Sequence, residues 1–209
     1  IGREIALALA RAGCAVAVGA RSRAEVERVA EAARERGARA AAVPLDVTDV
    51  DSVRRAVDGV AAALGPVEIL INNAGIAESA PFLKTDPEQW ERHLAVNVTG
   101  PYLLTRAVLP SMLERSWGRI VNIASLAGLH GAPYVTAYTA SKHALVGLTR
   151  ALAAEVAGKG VTVNAICPGY AATDMVWNGA RNIASRTGKS FDDAVRALAK
   201  MNPGGRLIE

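Results

Sequence analysis

The chain has 209 residues, of which 51% are hydrophobic and 21% charged, enough to bury the core of a single globular domain and too apolar for a disordered tail. A net charge of +4, with arginines scattered over helix faces and no interleaved aromatics, argues against a nucleic-acid partner, and no run of about 18 uncharged apolar residues suggests a membrane span. Two cysteines and three histidines without metal-ligand spacing leave no expected metal site, and Cys14 and Cys167, each in an apolar run, read as buried free thiols of a reducing cytoplasm.

In chain order, residues 3–12 read as an amphipathic helix stopped by Gly13, and the opening I-G-R-E-I-A-L-A-L-A is helix rather than signal peptide. A buried strand over 14–20 follows, then a charged helix from Ser22 to Arg36 that ends at Gly37. Residues 38–45 read as a strand, Val50 to Leu64 as a helix and 67–71 as a strand. Asp86 caps a long helical stretch that runs to about Arg115, with a break expected near Gly100-Pro101. Strand 118–124, helix 138–158 and strand 161–167 complete the alternation, and two helices separated by Gly188 are expected after Asp174. Strands apolar on both faces, alternating with helices, predict an α/β fold with a doubly wound parallel sheet, Rossmann-like, in one domain. Asn72, Ser125 and Pro168 fall just past strand ends, where such sheets bind ligands.

One stretch carries chemistry. Ser125 ends a strand, Tyr138 follows thirteen residues later and Lys142 four beyond it. At i and i+4 of a helix, phenol and ammonium share a face. A free phenol titrates near ~10, so a tyrosine working near neutrality needs its phenolate stabilised, and a neighbouring lysine cation is a source. The serine hydroxyl would hold the substrate oxygen.

N-N-A-G (Asn72 to Gly75), Asn97, Ser125, Y-x-x-x-K (Tyr138, Lys142) and P-G-Y-A-A-T-D-M (Pro168 to Met175) stand in one order along the chain. In that order and spacing the chain resembles a short-chain dehydrogenase/reductase of the type that reduces 3-oxoacyl groups, over almost its whole length. The family pattern opens with a strand and a glycine-rich turn, of which Ile1-Gly2 match the last two residues, and usually runs on beyond G-G-R-L-I-E. The expectation is therefore a domain over 1–209 truncated at both ends, with a central strand and most of the pyrophosphate-cradling turn absent. By resemblance, Asp46 contacts the adenine ring with Val47 beside it, and Asn73, Ala74 and Gly75 form the cofactor edge. Pro168, Gly169 and Thr173 hold the nicotinamide carboxamide, and Lys142 holds the nicotinamide ribose. Asn97 kinks its helix and anchors a water that leads protons to the lysine. Residues 175–201 form a lid, with Trp177, Ile183, Phe191 and Leu198 as its apolar face and Arg181, Arg186, Lys189, Arg196 and Lys200 as a basic rim.

With Gly2 as the last turn glycine, the next strand ends at Ala20, where a carboxylate would favour NAD. Arg21 follows instead, so NADP is favoured over NAD; the alternative is that Arg21 and Arg23 are solvated charges at a helix start. Ordinary readings also stand beside Asp46 (a loop or cap aspartate), Asn97 (a polar residue in a helix break) and Pro168-Gly169 (a turn). His143 reads as a packing residue and His130 as a loop residue that could line the pocket. The expected substrate is a small carbonyl or alcohol, possibly thioester-linked. The runners-up are dehydrogenation of a hydroxyacyl-CoA, cyclic alcohol or steroid, and a non-catalytic cofactor sensor. Family members assemble as tetramers or dimers through helices matching 87–115 and 138–158, so a homo-oligomer is expected. The small face of the second helix (Ala144, Gly147, Ala151, Ala154) would allow close packing or lie on its own sheet.

Overall fold

The structure, a computed structural model, describes residues 1–209. Helices and strands alternate as α1 (Gly2–Arg11), β1 (Val16–Ala20), α2 (Arg23–Arg34), β2 (Ala40–Pro44), α3 (Val50–Leu64) and β3 (Ile69–Asn72). They continue as α4 (Pro87–Leu94), α5 (Gly100–Glu114), β4 (Gly118–Ile123), α6 (Thr136–Glu155), β5 (Val161–Ile166), α7 (Asp174–Thr187) and α8 (Phe191–Ala199). Local chemistry sets the ends. Ser22, Asp49, Asp86 and Ser190 each accept a backbone N–H of the first turn of α2, α3, α4 and α8. Gly188 (φ 70°) ends α7 in the left-handed region, as the pattern predicts.

Every strand pair is parallel, with Val16 opposite Ala40, Ile69 opposite Arg119 and Gly118 opposite Val161. The strands form two sheets, β1-β2 and β3-β4-β5, rather than the one expected sheet, and β1 and β3 do not pair. Helix α3 spans the two, packing on β1 and β2 and also on α5. One core lies where α5 meets β4 and β5, around Met112, Ile120, Val161 and Val163; another joins α1, β1 and α2 through Leu7, Ala10, Val16 and Ala33. Helices α7 and α8 close over a small core of their own, Val176, Ala180, Ala194 and Leu198, with Trp177 and Ile183 packed on it. No helix is long and apolar enough to cross a membrane.

The largest departure from the sequence reading lies between α4 and α5. There is no break at Gly100-Pro101. Residues Ala95–Thr99 instead form a π-helical turn that joins the two helices, and Pro101, which has no N–H to give to a helical hydrogen bond, lies directly after it in α5. Helix α6 begins at Thr136, ahead of the expected start. Cys14 and Cys167 are free but only half-buried.

Candidate active site

The polar side chains gather at the carboxyl ends of β3, β4 and β5. Helix α6 carries Tyr138 and Lys142 one turn apart, with the lysine Nζ 5.8 Å from the tyrosine ring centroid. Lys142 is 4% exposed, and its Nζ donates to the Ile123 carbonyl at the end of β4 at 2.8 Å. One protein acceptor for three N–H donors leaves donors for a ligand. Gly75 keeps that approach open: a Cβ there would lie 3.5 Å from Nζ and 3.2 Å from Asn97 Oδ1. A cradle that any side chain would crowd, beside an under-used buried ammonium, fits a cofactor edge. Ser125 leaves β4 with extended backbone (φ −173°), and its oxygen accepts the Ala127 N–H at 3.1 Å.

The electrostatics divide the labour. Burial pushes the Tyr138 phenol up, the neighbouring Ser125 hydroxyl draws it part of the way back, and the phenol of Tyr170 adds a smaller upward push. The sequence predicts that Lys142 lowers the phenol; in the structure burial is the largest influence on it, and the lysine Nζ donates to the Ile123 carbonyl. A raised phenol stays protonated at neutral pH, which suits an acid. Burial brings Lys142 down to about 8, opposed by a weaker upward pull from Cys167.

Asn97 sits in the middle of the π-helical turn and is fully buried. Its Oδ1 accepts the Ile76 N–H at 2.9 Å, while Nδ2 donates to the Ile76 carbonyl at 3.0 Å and to Ser141 Oγ at 2.9 Å. Ser141 in turn donates to the Tyr138 carbonyl at 2.7 Å. Both amide hydrogens are spent on protein, so this side chain positions its neighbours. Asn72 donates to Asn122 at 2.8 Å and Asn122 to Thr149 at 2.8 Å, tying β3, β4 and α6 side chain to side chain, and Asn72 Oδ1 is buried without a partner.

The remaining candidates are spread along the same edge. Gly2 abuts Asn73, whose amide nitrogen would lie 2.6 Å from a Cβ there, so the α1 N-terminus, which has no side-chain cap, meets N-N-A-G; Ile1 and Ala74 are exposed beside it. Arg21 is exposed at the end of β1 and close enough to Asp46 to help lower its carboxyl. The main cause of that lowering is Thr48, whose hydroxyl and N–H both donate to Asp46 Oδ1, at 2.7 and 2.9 Å. Asp46 thus also does the work of a loop aspartate, and Asp49 caps α3. The Val47 side chain packs against Gly100. Pro168 accepts the Leu126 N–H at 2.9 Å, and Thr173 Oγ1 donates to the Ala171 carbonyl at 3.2 Å. Gly169 is required by close approach, since a Cβ would lie 2.2 Å from Asn202 Oδ1.

Sequence reasoning missed Asn202, His93, Ser141 and Tyr170. Buried Asn202 joins the N–H and carbonyl of Tyr170 to the Arg206 carbonyl, a long-range link that no local motif announces. His93 is fully buried, with its ring edge on Tyr138. His143, expected to pack, is exposed, and so is His130. The apolar residues of 175–201 pack mainly on one another, with Trp177 6.4 Å from Phe191, and Arg196 of the basic rim pairs with Asp193 at 2.6 Å. The small face of α6 is uncovered: Ala144, Gly147, Ala151 and Ala154 are all exposed.

The short chain dehydrogenase family matches residues 1–184. Nodulation protein G of Azospirillum brasilense is 50% identical over 131 residues, 63% of this chain and 53% of that protein, so the match spans about half of that relative's length. An acetoacetyl-CoA reductase of Rhizobium meliloti (strain 1021) is 45% identical over 179 residues, 84% of this chain and 71% of that protein. Among solved structures, a variant of actinorhodin polyketide ketoreductase with NADPH superposes with a TM-score of 0.94 at 36% identity, covering 99% of this chain and 80% of its own. With its parallel α/β fold, its Tyr-Lys helix and its match over most of its length, the chain belongs to the short chain dehydrogenase family.

Proposed function

We propose that the protein is an NADP-dependent oxidoreductase that reduces the keto group of 3-oxoacyl thioesters. The observation that carries this reading is a buried, protonated Tyr138 phenol beside the Ser125 hydroxyl, one helical turn from Lys142. Bound nicotinamide would supply the hydride. Tyr138 gives its proton to the carbonyl oxygen, and Ser125 donates a hydrogen bond to that oxygen as negative charge grows on it. Lys142 holds the nicotinamide ribose with the donors that Ile123 leaves free, and Asn97 keeps Ile76 and Ser141 in place around them. Asn73, Ala74 and Gly75 line the cofactor edge, and Pro168, Gly169 and Thr173 hold the carboxamide. The α1 N-terminus at Ile1 and Gly2 takes the pyrophosphate, and Asp46 and Val47 border the adenine.

Arg21 supports NADP over NAD. It directly follows β1, has no carboxylate within ion-pair distance and is free to pair with a 2′-phosphate. The likeness to an acetoacetyl-CoA reductase and to an NADPH-bound ketoreductase supports the substrate class and the cofactor. Residues 175–201 serve as the substrate lid. The uncovered small face of α6 supports self-association, and we place the enzyme in the cytoplasm.

The test is consumption of NADPH and of NADH with acetoacetyl-CoA, using wild type and Arg21→Asp. NADPH-preferring turnover that shifts toward NADH in the variant is the expected result. Turnover of cyclic ketones or secondary alcohols alone would overturn the thioester reading, and a folded protein that binds neither nucleotide would overturn the enzyme reading.

A further inference from the structure

Just before the π-helical turn, His93 is fully buried and makes three directed contacts. Its Nδ1 lies 2.7 Å from the Gln89 carbonyl, its Nε2 accepts the Glu78 N–H at 3.1 Å, and its ring meets that of Tyr138 edge-on, with centroids 6.5 Å apart and planes at 73°. A backbone carbonyl can only accept and a backbone N–H can only donate, so the proton must sit on Nδ1 and the lone pair on Nε2.

His93 and Asn97 are four residues apart and grip the same short segment. Asn97 takes the N–H and carbonyl of Ile76, and His93 takes the N–H of Glu78. Arg92 adds a third hold at 3.1 Å on the Glu78 carboxylate. No strand pairs with this segment, so these side chains satisfy groups that a sheet neighbour would otherwise take. The segment also ties two neighbouring elements: Ala80 N–H donates to the carbonyl of Tyr134 at 2.8 Å, and Ser79 Oγ accepts from Asn182 of α7 at 2.7 Å. Tyr134 has a left-handed φ of 67°, a conformation that a bulky side chain keeps only when its surroundings impose it.

We infer that His93, as its Nδ1–H tautomer, is a positioning residue for Tyr138: it locks the 76–80 segment to α4 and braces the phenol ring from the side. The role in turnover rests on the proposed reductase reading; the tautomer and the lock do not.

Three variants separate the contributions. His93→Leu removes both the acceptor and the aromatic edge, His93→Phe keeps only the edge, and His93→Gln keeps an oxygen that can accept the Glu78 N–H. With a ketone substrate and NADPH, His93→Leu should lose roughly 10- to 100-fold in kcat while cofactor Kd changes less than about twofold, because misplacing an acid impairs the reaction more than binding. His93→Gln and His93→Phe should each recover part of that loss. Full kcat in His93→Leu, or a loss that neither variant relieves, would overturn the positioning role. Independently of turnover, nitrogen-15 NMR of the wild-type imidazole should show the Nδ1–H tautomer, and the Glu78 amide should exchange with solvent at least about tenfold faster in His93→Leu. An Nε2–H tautomer, or an unchanged Glu78 amide in a folded His93→Leu, would overturn the lock. If wild type turns over no carbonyl but passes both NMR tests, the reductase reading fails and the lock stands.

Discussion

The two sides of the site are built differently. On the sheet side, Asn72, Asn97, Asn122, Ser141, Lys142 and Thr149 are polar, buried and each held by directed hydrogen bonds. On the other side, α7 and α8 have a small apolar core of their own, and Asn182–Ser79 is their polar tie to the 76–80 segment. A buried polar network admits few arrangements, because each misplaced group leaves a donor or acceptor unmatched. A small apolar core, tied to the 76–80 segment by a single hydrogen bond, tolerates repacking. In the proposed reaction, the first suits groups that must keep their geometry during proton transfer, and the second suits a wall that accommodates a substrate.

This contrast can be broken at several strengths. The largest effect is expected from Tyr138→Phe, which should lower ketone reduction by about 10²- to 10⁴-fold with cofactor affinity intact, read by steady-state kinetics and nucleotide titration. Near-normal turnover in that variant would remove the tyrosine from the chemistry. Asn97→Ala strands Ile76 and Ser141 groups at a buried site. It should cost roughly 3 kcal/mol in urea unfolding and impair turnover as well; a neutral result would mean that the polar side is no more rigid than α7–α8.

Lys142 gives a pH test. Its native pKa is about 8 against an ordinary 10.5, so between these values the folded state has released a proton that the unfolded state keeps. Stability should therefore rise with pH through that window and be lowest below it, by at most roughly 3 kcal/mol relative to Lys142→Met. Urea melts of both proteins on either side of the window check the sign, and parallel curves would show that the ammonium is hydrated. The smallest effect is expected from Asn182→Ala: under about 1 kcal/mol in stability and a change of about twofold in substrate KM, with kcat preserved. A kcat loss as large as that of Asn97→Ala would make the two sides mechanically one.

Much of this was legible in the chain. Apolar runs alternating with amphipathic helices imply parallel α/β architecture wherever they occur, because both faces of each strand need cover. Capping by Ser22, Asp49, Asp86 and Ser190 and the stop at Gly188 are local effects, written within a few residues. The spacing of Ser125, Tyr138 and Lys142 is likewise a consequence of a strand, a loop and one turn of helix. Tertiary structure decided what depends on distant partners. The π-helical turn replaces the break read at Gly100-Pro101. Asn97 becomes a saturated clamp because Ile76 and Ser141 arrive from elsewhere in the chain. His93, silent in the sequence, acquires its tautomer from Gln89 and Glu78. Lys142 donates to the Ile123 carbonyl, and burial is the largest influence on the Tyr138 phenol. The reason is common to all four: local sequence specifies which backbone groups lack partners, and only the packed fold specifies which side chains reach them.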